Sequence, residues 1–215
     1  EFLLRMIGEE RLISPGEFIP AAERYNLMPL IDRWVITNVF DYLRVSGLSD
    51  SGDGTYFVNL SGSTLSDGTF FDFIKQAHEE TGINPERVCF EITETAAIDN
   101  LVDAVEFIKE IRERGFKFAL DDFGKGMSSL SYLKALPVDY LKIDGEFVKD
   151  MLSDPIDNAM VEHINQIAHV IGMKTIAEYA ENEDIIERLR ELKIDFAQGY
   201  GIDRPMPFEV LTELH

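Results

Sequence analysis

Phe116-Lys117-Phe118-Ala119-Leu120-Asp121-Asp122-Phe123-Gly124-Lys125-Gly126-Met127-Ser128-Ser129-Leu130 is the stretch on which the reading of this chain turns. Phe116, Phe118 and Leu120 alternate with Lys117, Ala119 and Asp121, which is the period of a strand. The strand closes on two adjacent carboxylates, and two glycines and two serines then turn the chain. Neighbouring side chains of a regular strand point to opposite faces. Asp121 and Asp122 are therefore expected to reach one site only if the strand ends between them. Two carboxylates about 4 Å apart repel by about 1 kcal/mol even in bulk water, and more when sheltered. A divalent cation between them removes that cost. An acidic turn without a metal is the plainer alternative, and this stretch by itself leaves both open.

Outward from it, strands and helices alternate with little else. Strand patterns cover residues 1–6, 56–60, 88–93, 140–143, 175–177 and 196–198 besides the opening one. Helical patterns cover residues 21–25, 31–43, 70–80, 101–114, 130–136, 158–171 and 183–192, and a terminal helix is expected after Arg204-Pro205. Ser14-Pro15-Gly16-Glu17 reads as a helix start and Asn182 as a helix cap, while residues 50–54 read as a turn. Such alternation implies parallel β/α units. The expected fold is α/β, a TIM-like (β/α) barrel lacking its N-terminal strand, with an open doubly wound sheet as the second choice.

The 215 residues suit one large domain, 1–215. Glu1 already lies in a strand-like run, so the chain is expected to be cut from a longer multidomain protein. With 45% hydrophobic residues and fifteen Phe it can fill a core. Forty acidic against twenty basic residues give a net charge of −20, which argues against duplex nucleic acid or an anionic membrane as the main partner. It does not argue against a small phosphate ligand, because a bound metal inverts the local field. The one cysteine, Cys89, rules out an intrachain disulfide and fits a reducing compartment. No apolar run is long enough to cross a bilayer.

Each strand after the first ends in or beside a residue able to bind metal or phosphate: Asn59, Glu91, Asp121 with Asp122, Lys142, Glu178 and Gln198. In a β/α barrel those ends share one rim, where active sites sit. Coincidence accounts for two or three such residues more easily than for six strands. Carboxylates and amides are hard ligands that suit Mg²⁺ or Mn²⁺ rather than Zn²⁺. His78, His163, His169 and His215 fall in helices or at the terminus and read as surface or packing residues. No Ser-His-Asp set, P-loop or dinucleotide fingerprint is present. Cys89 reads as a small buried hydrophobe.

Glu1-Phe2-Leu3-Leu4-Arg5 resembles an EALxR signature with Phe in place of Ala. Asn59-Leu60-Ser61, Glu91-Ile92-Thr93-Glu94, Asp121-Asp122-Phe123-Gly124, Lys142-Ile143-Asp144, Ala177-Glu178 and Gln198-Gly199-Tyr200 follow in the order of that family's further motifs. The chain resembles the EAL-domain cyclic di-GMP phosphodiesterases from first residue to last. The resemblance implies a cytoplasmic bacterial signalling hydrolase that opens cyclic di-GMP to linear pGpG with two Mg²⁺ or Mn²⁺ ions, Ca²⁺ being inhibitory. It implies that Glu1, Asn59, Glu91 and Asp121 hold one metal. Asp121 bridges to a second, which Asp122 and Glu178 also bind. Lys142 orients or activates the attacking water, with Asp122 and Glu178 sharing in catalysis. Gln198 lies beside the second metal and, with Arg5 and Asp144, contacts substrate. Glu94 anchors the mobile loop after Asp122. The resemblance also implies a homodimer, tethered to sensory or GGDEF-type domains in a protein that can itself be membrane-anchored. The rival is a degenerate domain that binds cyclic di-GMP without cleaving it, yet no matched ligand is missing. A purely structural or dimer-forming domain leaves the rim carboxylates unexplained. A Schiff-base role for Lys142 needs a neutral amine, whereas surrounding carboxylates favour the ammonium. Phe2, Lys125, Met127 and Tyr179-Ala180 depart from the family pattern without removing a ligand; they bear on loop motion and turnover.

Overall fold

The computed structural model describes residues 1–9, 11–49, 54–125 and 130–207. The turn expected at residues 50–54, the loop segment with Met127, and the terminal helix lie wholly or partly outside those residues. In chain order the first elements are β1 (Met6–Ile7), β2 (Leu12–Ile13), α1 (Pro15–Arg24), α2 (Met28–Ser46), β3 (Tyr56–Asn59), α3 (Gly62–Leu65) and α4 (Phe70–Thr81). Then come β4 (Val88–Thr93), α5 (Glu94–Asp99), α6 (Leu101–Arg112), β5 (Lys117–Phe123) and a 3₁₀ turn over Leu130–Lys134. The last are β6 (Tyr140–Ile143), α7 (Gly145–Asp150), α8 (Pro155–Ile171), β7 (Lys174–Ala177), α9 (Glu183–Glu191) and β8 (Phe196–Ala197). Two compact units are formed, Glu1–Ile92 with Asn100–Lys117, and Thr93–Asp99 with Phe118–His215.

In the first unit β3 and β4 pair in parallel, with Asn59 opposite Glu91. Helix α2 is amphipathic: Asp32, Ile36, Val39, Phe40 and Leu43 are buried at helical spacing. Phe40 and Phe90 both pack on Phe116, with ring centroids 5.9 and 5.4 Å apart. Buried Asp32 accepts from the Ser61 amide at 2.9 Å and from the hydroxyls of Ser61 and Thr64 at 2.7 and 2.6 Å. These bonds tie α2 to the segment just past Asn59 and so set the end of β3. At the start of α1, the Glu17 carboxylate accepts from the Ser14 amide at 3.2 Å, as the Ser-Pro-Gly-Glu pattern predicts.

The strand expected over residues 1–6 is largely absent. Glu1, Leu3 and Arg5 do share the exposed side while Phe2 and Leu4 turn inward. Only Phe2 bridges in parallel to Val58, its amide 2.9 Å from the Phe57 carbonyl. Met6 and Ile7 instead pair antiparallel with Leu12 and Ile13, and the Gly8 amide extends that ladder by donating to the Arg11 carbonyl at 3.0 Å. Phe2 stacks on Tyr56 at 6.0 Å, so its large ring is used in packing.

In the second unit β5, β6, β7 and β8 pair in parallel in that order. Leu120, Leu141, Ile143 and Ala177 are fully buried. Helix α8 lays Val161, Ile164, Asn165 and Ala168 inward, and Asn182 caps α9 by accepting from the Ile185 amide at 2.9 Å. Parallel strands alternating with helices make the α/β pattern expected from the sequence. Among the described residues no helix is long and apolar enough to cross a membrane.

Candidate metal centre

The strand does not end between Asp121 and Asp122, contrary to expectation. β5 continues through both to Phe123, and its register against β6 shifts between Leu120 and Phe123. Asp122 sits at φ +54°. A bulge of this kind re-aims a side chain that a regular pleat would send to the other face. Aspartate is among the few non-glycine residues that tolerate left-handed backbone. Gly124 completes the turn at φ +111°, where a Cβ would lie 2.6 Å from the Phe147 ring.

Two lysines and four carboxylates gather at these strand ends. Lys142, 1% exposed within β6, places Nζ 3.1 Å from Asp121 Oδ1 and 2.9 Å from Glu178 Oε1. Lys125, just past β5, places Nζ 3.0 Å from Asp122 Oδ1 and 2.6 Å from Asp144 Oδ2. One carboxylate oxygen from each of Asp122, Asp144 and Glu178 lies within 4.8 Å of the other two. The four carboxylates exceed the two ammoniums by two negative charges, the deficit a divalent cation fills. Burial, then hydrogen bonding with Asp144 and repulsion from Asp121, outweigh Lys125 and push the Asp122 carboxyl above its ordinary range. Burial alone would raise Asp144 too, but Lys125, the Glu146 amide and Asp122 hold it low. The donor set is all oxygen, with no Cys or His, which fits a hard cation such as Mg²⁺ or Mn²⁺.

Glu94 opens α5, a helix absent from the sequence reading. It is buried and accepts from the Gly124 amide at 3.0 Å and from the Tyr132 hydroxyl. Burial and Glu94 together raise the Tyr132 phenol above its ordinary value. Glu178 lies just past β7, and the next residue, Tyr179, has φ +54°. Left-handed backbone at a bulky residue costs about 1–2 kcal/mol. The Tyr179 ring covers Gly145, where a Cβ would lie 2.1 Å from Cδ2.

In the first unit Asn59 Nδ2 donates to Glu1 Oε1 at 2.8 Å. Glu91 is buried in register with Asn59, and its carbonyl accepts from the Leu60 amide at 2.8 Å. Arg5 is exposed and its guanidinium donates to the Leu4 carbonyl. In the second unit, Asp121, Asp122, Lys142 and Glu178 lie close together. Gln198 is linked through its backbone to Ala177 and Ala180. Two features went unread in the sequence. Asp144, expected at the substrate or in an ion pair with Lys142, belongs to the Asp122–Asp144–Glu178 group and pairs with Lys125 instead. Lys125, noted only as a departure, is paired to two of the carboxylates.

Residues 1–205 match the EAL domain family model. The chain belongs to the EAL domain family. It is 44% identical over 203 residues to the cyclic di-GMP phosphodiesterase PdeB of Shewanella oneidensis, which covers 94% of this chain and 24% of that protein. It is 35% identical over 216 residues to the cyclic di-GMP phosphodiesterase PdeF of Escherichia coli, covering 100% of this chain and 29% of that protein. This EAL domain thus spans under a third of the length of these curated relatives. Among solved structures, the MucR phosphodiesterase of Pseudomonas aeruginosa in complex with c-di-GMP superposes with a TM-score of 0.91 at 32% identity. That match covers 97% of this chain and 85% of that one. The EAL enzyme Bd1971, in its cAMP- and cyclic-di-GMP-bound form, gives 0.91 at 29% identity, over 99% of this chain and 58% of that one. The fold is therefore the TIM-barrel-like α/β fold of EAL domains.

Proposed function

We propose that this EAL domain hydrolyses cyclic di-GMP to linear pGpG in a reaction that needs two divalent metals, Mg²⁺ or Mn²⁺. The observation that carries the reading is the buried Lys142 ammonium, held by Asp121 and Glu178 next to the Asp122–Asp144–Glu178 group. The substrate class rests on similarity to relatives named as cyclic di-GMP phosphodiesterases.

Glu1, Asn59, Glu91 and Asp121 would hold one metal, and Asp121, Asp122 and Glu178 the other, with Gln198 nearby. Bound there, two such ions would neutralise the phosphodiester and acidify a water. Lys142 donates toward the attacking water and the charge that develops on it. Its two carboxylate partners fix where the ammonium points, so it works as a preset donor. Asp144, Arg5 and Gln198 face substrate, and Glu94 holds the loop after Asp122. The domain is proposed to act in the cytoplasm as a homodimer. It would be one part of a longer protein with sensory or GGDEF-type domains.

The test is the purified chain with Mg²⁺ and cyclic di-GMP, products separated by chromatography. The expected product is pGpG, and Asp121→Asn should abolish it while the circular dichroism spectrum stays unchanged. Turnover by Asp121→Asn near the parent rate, with metal still bound, would sink the two-metal assignment. Binding of cyclic di-GMP with no product in any metal would transfer the case to the receptor reading.

A further inference from the structure

We propose that Lys125 is a tethered cation that occupies Asp122, a carboxylate meant for the second metal, together with neighbouring Asp144, and must leave Asp122 when that metal binds. Lys125 thereby sets the metal affinity of this domain. The inference rests on the metal-dependent reading above and deepens it.

The geometry is specific. Lys125 Nζ lies 3.0 Å from Asp122 Oδ1 and 2.6 Å from Asp144 Oδ2, and both carboxylates belong to the group closed by Glu178. An ammonium and a metal ion seek the same lone pairs. Mg²⁺ takes its oxygens at about 2.0–2.1 Å in a strict octahedron. An ammonium already between Asp122 and Asp144 stands where such an ion would have to approach Asp122.

The two lysines of the centre are not equivalent. Lys142 is 1% exposed in the body of β6, so its amine has no way to water without disturbing the packing around it. The Lys125 side chain is 47% exposed and lies past the end of β5. It can swing into water for the loss of two ion pairs. What brings it back over Asp122 is the turn at Gly124, whose φ of +111° against the Phe147 ring excludes a side chain there. Asp144, 2% exposed, keeps the Glu146 amide at 2.7 Å when Lys125 departs, so one partner remains while a metal at Asp122 restores positive charge beside it. The ammonium leaves charged, so Lys125 gives up no proton in the exchange.

The measurement is a Mn²⁺ titration of the whole chain, with free Mn²⁺ counted by electron paramagnetic resonance. Lys125→Thr and Lys125→Gln should both bind Mn²⁺ about tenfold more tightly than the parent, equivalent to about 1.4 kcal/mol. Lys125→Arg, which keeps the charge, should stay within about twofold of the parent on the same scale. Lys109→Thr removes an equal charge from the exposed face of α6 and should change nothing. Thermal unfolding in EDTA adds a second readout: Lys125→Thr should melt lower than the parent without metal, and Mn²⁺ should close the gap. Unchanged or weaker Mn²⁺ binding by both neutral variants would overturn this proposal alone. Tightening by Lys109→Thr to the same degree would overturn it too, since net charge would then be the cause. No Mn²⁺ binding by any of the proteins would overturn it together with the metal-dependent reading.

Discussion

Glu94→Ala, taken with Tyr132→Phe, tests how the end of β5 is held. The Glu94 carboxylate accepts the Gly124 amide at 3.0 Å and the Tyr132 hydroxyl, and both acceptor oxygens are sheltered from water. Hydrogen bonds to a charged group are worth about 1.5–3 kcal/mol each, so losing both should cost about 4 kcal/mol. The place of Glu94 in the first turn of α5, where the helix dipole favours a negative charge, adds about 0.5 kcal/mol. Tyr132→Phe removes only one of the bonds and should cost about 2 kcal/mol. Because that bond is counted in both single variants, the double variant should cost little more than Glu94→Ala. The coupling energy is then about 2 kcal/mol, well outside the ~0.5 kcal/mol scatter of independent sites. Urea unfolding of the four proteins supplies the cycle. Hydrogen exchange supplies the local reading: the Gly124 amide should exchange about thirtyfold faster in Glu94→Ala if its bond contributes about 2 kcal/mol. It should stay protected in Tyr132→Phe. Additive losses, or unchanged Gly124 exchange in Glu94→Ala, would refute the idea that Glu94 anchors the segment after Asp122.

Three further outcomes are expected. Lys142→Met should keep bound metal, lose turnover steeply and, in EDTA, destabilise the fold by about 2 kcal/mol, because two half-buried carboxylates lose their counter-ion; Mg²⁺ should restore part of that in urea melts, and turnover near the parent rate would show that Lys142 is structural. Thr69 and Arg33 hold the Asp67 carboxyl down from its ordinary 3.8 to about 2; a group with a depressed folded pKa stabilises above its unfolded pKa, so the contribution, about 1 kcal/mol after solvent screening, is complete above pH ~4 and lost as pH falls toward 2. Carbon-detected NMR titration of that carboxyl reads it directly, and Arg33→Met should shift its midpoint upward. Ca²⁺ should bind yet support no hydrolysis where Mg²⁺ and Mn²⁺ do, because its longer, looser bonds of about 2.3–2.6 Å misplace and weakly acidify water; equal turnover in Ca²⁺ and Mg²⁺ in a parallel binding and product assay would refute that account.

The sequence by itself determined the class of fold and the identity of the polar groups. Strand period, capping residues and glycine stops are local signals, so β3 to β8 and the main helices were legible to within a few residues. The order of the motifs from Glu1 to Gln198 was equally legible, since it needs no geometry. The tertiary structure decided what depends on partners distant in the chain. Glu1 to Met6 has the alternation of a strand, but a strand needs a ladder, and Met6 and Ile7 find theirs in Leu12 and Ile13. Asp121 and Asp122 reach common chemistry through a bulge, because the register shift is set by β6 and not by the alternation of β5. Lys142 pairs with Asp121 and Glu178, while Asp144 goes to Lys125, although Lys142 and Asp144 stand two apart in the chain. That choice follows from which ammonium each carboxylate can reach once β5, β6 and β7 lie side by side, and Coulomb attraction at about 3 Å depends on distance in space alone.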